Sequence, residues 1–351
     1  MGVMEEIRLN VALLRRKVPN LTTAAKSIGI RPATVSNLCT GKIDLGKAEI
    51  RTLVGLASLA NCKVDDLIIR GVKLDMIETK IKALDFFAPL VKEGTTGLVA
   101  RPGMGQLVIL AELLHRFKDG DYTTVFLLPK TRQDELETEG ITELANYLTE
   151  SAEETFLKLS EISGDTLLIT DNSYVVSGQL LDLQEKMIKE GIKNVTTILL
   201  DLSGEVVDED IPFGPLETVW QLDADLAARH LYPAVQPIIS TSSLVEGVDV
   251  DQRHFNLRQR AQKLLRRYKE LRSLVVVHGL DKIRSKELET YERGERLEAY
   301  FTQPFYVAES FTGQVGHEVS LSQTLQDVEY ILDGKADEQS VDNLKYIGSL
   351  V

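Results

Sequence analysis

Two groups of residues in this 351-residue chain have the types and spacing to do chemistry. The first is RPGMGQL, Arg101 to Leu107, which follows the apolar run TTGLVA (95 to 100) and leads into the amphipathic stretch ILAELLHRF. A strand, a glycine-containing loop and a helix N-terminus converge backbone amides and the positive end of a dipole, which makes a phosphate site in principle. In the phosphate-loop pattern GxxxxGK[ST], the lysine neutralises phosphate charge and the Ser or Thr holds magnesium. Only Gly103 and Gly105 fit that pattern; Gln106 and Leu107 stand where the two reactive side chains belong, and leucine cannot ligate a metal. Ala100 replaces the first glycine, Pro102 stiffens the loop, and Arg101 is the cation next to it.

The second group is Arg31, Ala33, Thr34, Ser36 and Asn37, with Lys42 just beyond. These are the outward positions of a short helix and have the chemistry to read a DNA major groove. Arginine pairs bidentately with guanine, asparagine with adenine, alanine and threonine methyls meet thymine, and Lys42 or Arg31 can instead hold phosphate.

The elements that must position this second group are helical. Ile7, Val11 and Leu14 recur at helical spacing and predict a first helix through EEIRLNVALLRRK. Leu21, Ala24, Ala25 and Ile28 mark a second, Gly29 breaks it where a tight turn needs positive φ, and Pro32 opens a third whose Val35 and Leu38 face back. The run SIGIRPATVSNLCTGK resembles the Cro/repressor-type helix-turn-helix family, with AEIRTLVGLASLANCKVDDLI as its closing helices, over about residues 4 to 71. The bland alternative is a small helical protein-interaction domain. Cys39 and Cys62 read as small buried thiols rather than a disulfide or metal ligands.

Beyond residue 71 the texture is α/β. Candidate buried strands are 95–100, TTVFLL (123–128), DTLLIT (165–170) and VTTILLDL (195–202), with amphipathic helices between them. IETKIKALDFFAPLVKEGTTGLVARPGMG, LYPAVQPIISTSS and FTQPFYVAESFTGQVG, in that order, resemble segments of the catalytic beta subunit of rotary ATP synthases, from about Met76 to Val351. The resemblance implies a RecA-like P-loop core with a mainly parallel sheet and an α-helical C-terminal domain. It lacks the subunit's N-terminal barrel, in whose place the helical head stands.

The same resemblance implies several site assignments. PKTRQD aligns with the segment supplying the water-activating glutamate, which puts Pro129 at that position and leaves Lys130 and Arg132 as phosphate contacts. Asp171 matches the metal-supporting carboxylate of the Walker B strand, although an Asp there is equally a helix cap. Ser243 and Val175 stand where arginines are expected. Tyr232, Phe305, Ala308 and Phe311 occupy the positions of the adenine pocket, to be read either as retained base binding or as packing between core and C-terminal helices. The acidic rotor-contacting loop becomes DKIRSKE, Asp281 to Glu287, interrupted by three cations, which disfavours a place in a rotary motor. SLVVVHGL (273–280), strand-like by itself, falls by resemblance near the end of a long helix.

The net charge of −13 hides an asymmetry: residues 1–71 carry 11 Lys+Arg against 6 Asp+Glu, while the rest carry 29 against 47. A basic head on an acidic body points to one nucleic-acid-facing module. No membrane span or secretory signal is evident, so the expected location is cytoplasmic, nucleoid-associated. The expected domains are a helix-turn-helix head (1–71), a degenerate nucleotide-binding core (72–250) and a C-terminal helical domain (251–351). The expected function is a sequence-specific DNA-binding protein, a transcriptional regulator, with a pseudo-ATPase body that has no catalytic or metal residues. Double-stranded DNA and further copies of itself are the partners, and weak adenine-nucleotide binding is the one cofactor entertained. The alternatives are a nucleotide-responsive switch that binds purine without hydrolysis, a DNA-dependent ATPase using Arg101 or Lys130, and a structural adaptor binding protein through the acidic body.

Overall fold

The computed structural model describes residues 7–18, 21–70, 75–118, 120–130, 140–208, 213–246 and 251–350. The head differs from expectation at its start. Ile7–Leu9 form a strand, β1, paired antiparallel with Ile68–Arg70, β2, and the first helix, α1, spans only Val11–Lys17. The Asn10 side chain accepts the Leu13 amide at 3.0 Å and so fixes the helix start after Ile7. Helices α2 (Leu21–Ser27), α3 (Pro32–Cys39) and α4 (Ile50–Leu59) follow as the spacing predicts. Gly29 turns the chain at φ 76°, and Leu14, Leu21, Ala25, Val35, Leu56 and Leu67 form a fully buried core. Ile28, expected on the buried stripe of α2, lies past its last residue and is 42% exposed.

The body opens with β3 (Met76–Ile77) and β4 (Leu90–Val91), an antiparallel pair around α5 (Lys82–Phe87). The main sheet contains β5 (Thr95–Val99), β6 (Tyr122–Leu127), β7 (Tyr147–Thr149), β8 (Asp165–Asp171), β9 (Val195–Leu200), β10 (Thr218–Gln221) and β11 (Thr241–Ser242). Their order is β11-β10-β5-β9-β8-β6-β7, parallel throughout except that β10 and β11 run antiparallel. All four strands expected from apolar runs are present; β7, β10 and β11 are too short to stand out by pattern.

Strand alternation divides the core by face. Leu98, Ile198, Ile169 and Phe126 meet Ile109, Leu110, Leu113 and Leu114 of α6 (Gln106–Phe117). Val99, Leu199, Leu168 and Val125 meet Leu159 of α7 (Ala152–Glu161) and Leu180, Leu183 and Met187 of α8 (Gln179–Lys189). The C-terminal helices α9 (Gln252–His278), α10 (Ser285–Tyr300) and α11 (Leu321–Leu332) join the α6 side. Their Leu257, Ala261, Leu265, Leu297, Val328 and Ile331 belong to the same buried cluster as Leu98. SLVVVHGL lies largely in α9, as the resemblance implied.

The join between sheet and C-terminal helices is also polar. Four successive carbonyls at the end of α5 and just beyond it are met by side chains: His254 Nε2 lies 2.8 Å from Phe86 O, and Arg258 Nε donates to Phe87 O at 2.8 Å. Trp220 Nε1 donates to Ala88 O at 2.6 Å, and Thr218 Oγ1 to Pro89 O at 3.1 Å. Buried carbonyls without such donors would each carry a desolvation cost, so this chain segment is fixed between β10 and α9. Among the described residues no helix is long and apolar enough to cross a membrane.

Candidate functional site

The C-terminal end of β5 turns into α6 through Ala100–Gly105. Gly103 and Gly105 adopt φ of 83° and 93°, left-handed values that side chains disfavour, and Gly105 begins α6 with no side-chain cap. The loop is braced from three sides. Met104 is buried and its Sδ accepts the Arg101 amide at 3.1 Å. Pro102 abuts Gly204, where an added Cβ would lie 2.9 Å from Pro102 Cδ. The Tyr232 ring borders Gly105 so closely that a Cβ there would lie 3.3 Å from it.

At the two positions where the sequence pattern expects lysine and Ser or Thr, Gln106 is only 5% exposed and the partly buried Leu107 packs against the body's core. Neither supplies the cation or the hydroxyl of the phosphate-loop pattern. Arg101 reaches the surface instead, where its guanidinium pairs with Asp208 at 3.1 Å, both side chains exposed.

The carboxylates near the loop are held by their own turns. Asp171, at the end of β8, caps the short helix Asn172–Val176: its Oδ1 accepts from Ser173 Oγ at 2.6 Å and from the Ser173 amide at 3.3 Å. Burial raises its pKa, and the Ser173 hydrogen bonds and nearby Lys130 oppose that shift. Asp201, which sequence reasoning passed over, follows β9 in the same way and is 1% exposed. Its Oδ1 accepts the Gly204 amide at 2.7 Å, which shapes the turn that braces Pro102, and burial raises its pKa. The signal was available, since an Asp closes VTTILLDL much as Asp171 closes DTLLIT.

Lys130 donates to Gln179 Oε1 at 2.9 Å and stands 5.2 Å from the Tyr174 ring centroid. Pro129 is buried, Val175 packs on the α8 side of the sheet, and Ser243 is half-buried at the end of β11. Arg132 lies outside the described residues.

The aromatic group divides. The chain segments of Tyr232 and Phe305 are joined by the Gln303 amide, which donates to Tyr232 O at 3.0 Å, and the Ala308 amide closes the turn after Phe305 by donating to Phe305 O at 3.1 Å. Phe305 is 5% exposed and belongs to the core, Ala308 is half-buried, and Phe311 is 90% exposed. The segment that carries them is tied to α6. Glu112 Oε2 accepts the Val307 amide at 3.2 Å, and Arg116 donates to Lys80 O at 3.0 Å and His317 O at 2.9 Å.

On the head, Arg31 precedes α3 without capping it, and Arg31, Ala33 and Lys42 are exposed, while Thr34, Ser36 and Asn37 are half-buried. Ala33, Ser36 and Asn37 share a helix face at i, i+3 and i+4. Val35, Leu38 and Cys39 fill the opposite side. Burial pushes the Cys39 thiol up to about 12.

No family model matches the chain. Among solved structures it is similar to a unique ATP synthase subunit NeqB from Nanoarcheaum equitans, with a TM-score of 0.59 and 17% identity over 75% of this chain and 77% of that one. At that identity the likeness is one of fold, and the fold here is a mixed α/β body with a mainly parallel seven-stranded sheet and a helical C-terminal region.

Proposed function

We propose that the chain is a sequence-specific DNA-binding protein, a transcriptional regulator, whose ATP synthase beta-like body is catalytically silent and serves self-association or ligand sensing. The observation that carries the silent body is that buried Gln106 and the partly buried, core-packed Leu107 occupy the start of α6. Phosphoryl transfer relies on charge stabilisation aimed at the γ-phosphate, and a neutral amide and an aliphatic side chain supply none. The capping geometry of Asp171 fits the same reading. The head is read as a Cro/repressor-type helix-turn-helix. This is supported by the turn at Gly29, the Pro32 start of α3, the exposed Arg31, Ala33 and Lys42, and the excess of cations before residue 72.

Duplex binding is tested by fluorescence anisotropy on a sequence selected from a random pool. Arg31→Ala or Asn37→Ala is expected to weaken the selected site by about tenfold or more, the cost of one good base contact. Lys42→Ala should weaken all sequences alike. Absence of duplex binding by the full chain at low salt would sink the reading. Steady turnover of ATP by purified protein, abolished by Asp171→Asn, would overturn the silent body.

A second reading, a switch that binds purine nucleotide without hydrolysing it, is favoured by the Tyr232 ring at Gly105 and the solvent-facing Phe311. Calorimetry with ATP and ADP separates the two; no heat at millimolar nucleotide removes the second.

A further inference from the structure

Head and body have separate hydrophobic cores. The head's buried cluster runs from Leu9 to Leu67, and no cluster of the body includes a head residue. Where α1 lies against α8, the contact also includes a polar group. Arg15 of α1 is 8% exposed, and its guanidinium donates to the carbonyl of Pro215. Two residues further on, Glu217 lies within the electrostatic reach of Arg15 and Arg8, and Cys39 at the end of α3 shares the same field.

Glu217 belongs firmly to the body. Its Oε2 accepts the Thr95 amide at 2.8 Å, and its own amide donates to Thr95 O at 3.1 Å. Arg15 is less well matched, because its buried Nε has no hydrogen-bond partner among the described residues. A buried guanidinium with an unmatched N–H sets a desolvation cost against the attraction of Glu217, so docking gains little net free energy from this pair. Without a shared apolar core, nothing comparable to a domain interior is lost when the two surfaces part.

We propose that the head is held to the body by a releasable polar latch, Arg15 against Pro215 and Glu217, and exchanges between docked and released positions while both parts stay folded. Release frees α1 and the end of α3 from the body and widens the reach of the whole head.

The test uses the full chain as Arg15→Gln and, from the body side, Glu217→Gln, which keeps a side-chain acceptor for Thr95. Hydrogen exchange and small-angle scattering are the readouts. Release should speed exchange in α1 and at residues 215–218 by about tenfold or more and raise the radius of gyration. Amides of Leu53–Ala57 in α4 and Leu167–Ile169 in β8 should keep their protection. That pattern in either variant supports the latch. No release in either variant, or release only with lost protection in α4, overturns it, because head packing and docking would then be one cooperative unit.

Discussion

Lys82 is fully buried at the start of α5, and its Nζ donates to the carbonyls of Tyr300 at 2.6 Å, Ile347 at 2.9 Å and Gly348 at 3.4 Å. One side chain therefore fastens α10 and the C-terminal tail to the body. Burial lowers its pKa to about 7 from 10.5, with Asp327 opposing. Between those two values the unfolded chain binds the proton and the folded chain does not, so this group makes stability rise with pH across that window. Lys82→Met should lower stability by about 2–4 kcal/mol through three stranded carbonyls and flatten that slope; denaturant titrations between neutral and alkaline pH check both. Cys39 offers a second test. With its thiol pushed up to about 12 and buried, it should resist a thiol-labelling reagent at pH 8 in the native protein, whereas half-buried Cys62 should react sooner. At this scale the missing lysine and hydroxyl of the loop are legible in the sequence, because a residue type at a fixed template position is local information. The meeting of Tyr232 with Gly105 is not, nor is the bracing of Pro102 by the turn that Asp201 shapes, since each depends on which distant turns share the C-terminal edge of the sheet.

Helix pairing in the C-terminal region hinges on one small residue. Gly294 of α10 faces Tyr268 of α9 so closely that an added Cβ would collide with the base of the tyrosine side chain. Gly294→Ala should force the helices apart and destabilise the body by about 1–3 kcal/mol, read as a lower thermal midpoint. Gly103→Ala is the contrasting case, for its surroundings are open and only the left-handed backbone at φ 83° resists. Its expected cost is about 1 kcal/mol. Element legibility followed length. The apolar runs of β5, β6, β8 and β9 and the Gly29–Pro32 punctuation declare themselves. Ile7–Leu9 read as helix because three residues carry no decisive period and their partner strand lies at the far end of the head. Gln221 and Thr218 of β10 likewise sit in a segment of four residues that sheet pairing, rather than local pattern, makes a strand.

For the whole molecule, the basic head and acidic body set opposite electrostatic tasks. If the head holds duplex while the body associates, several heads gain affinity through effective concentration. Sedimentation of the full chain at micromolar concentration should then show an oligomer, and a strict monomer would remove that part of the proposed function. Cooperativity should be uneven as well: the α/β core and the C-terminal helices share buried side chains and should melt together, while the separately cored head should melt on its own, giving two calorimetric transitions. The compositional asymmetry made the head and body visible in the sequence; their polar contact through Arg15 was not, because no pattern in either segment names the other.

β5 has a bearing on how any ligand could influence the head. It starts at Thr95, bound to Glu217, and its other end runs into the Ala100–Gly105 turn. Five extended residues span about 17 Å, so a small anion resting on the first turn of α6 stays a strand's length from Glu217, whose field reaches Arg15. Steric competition between the two is thereby ruled out by distance, and the direct path between them is β5 itself, a shift of which along its own axis would couple the two ends. The Thr95 amide stands at the receiving end of that shift, which makes its exchange rate a gauge of events at the opposite edge of the sheet.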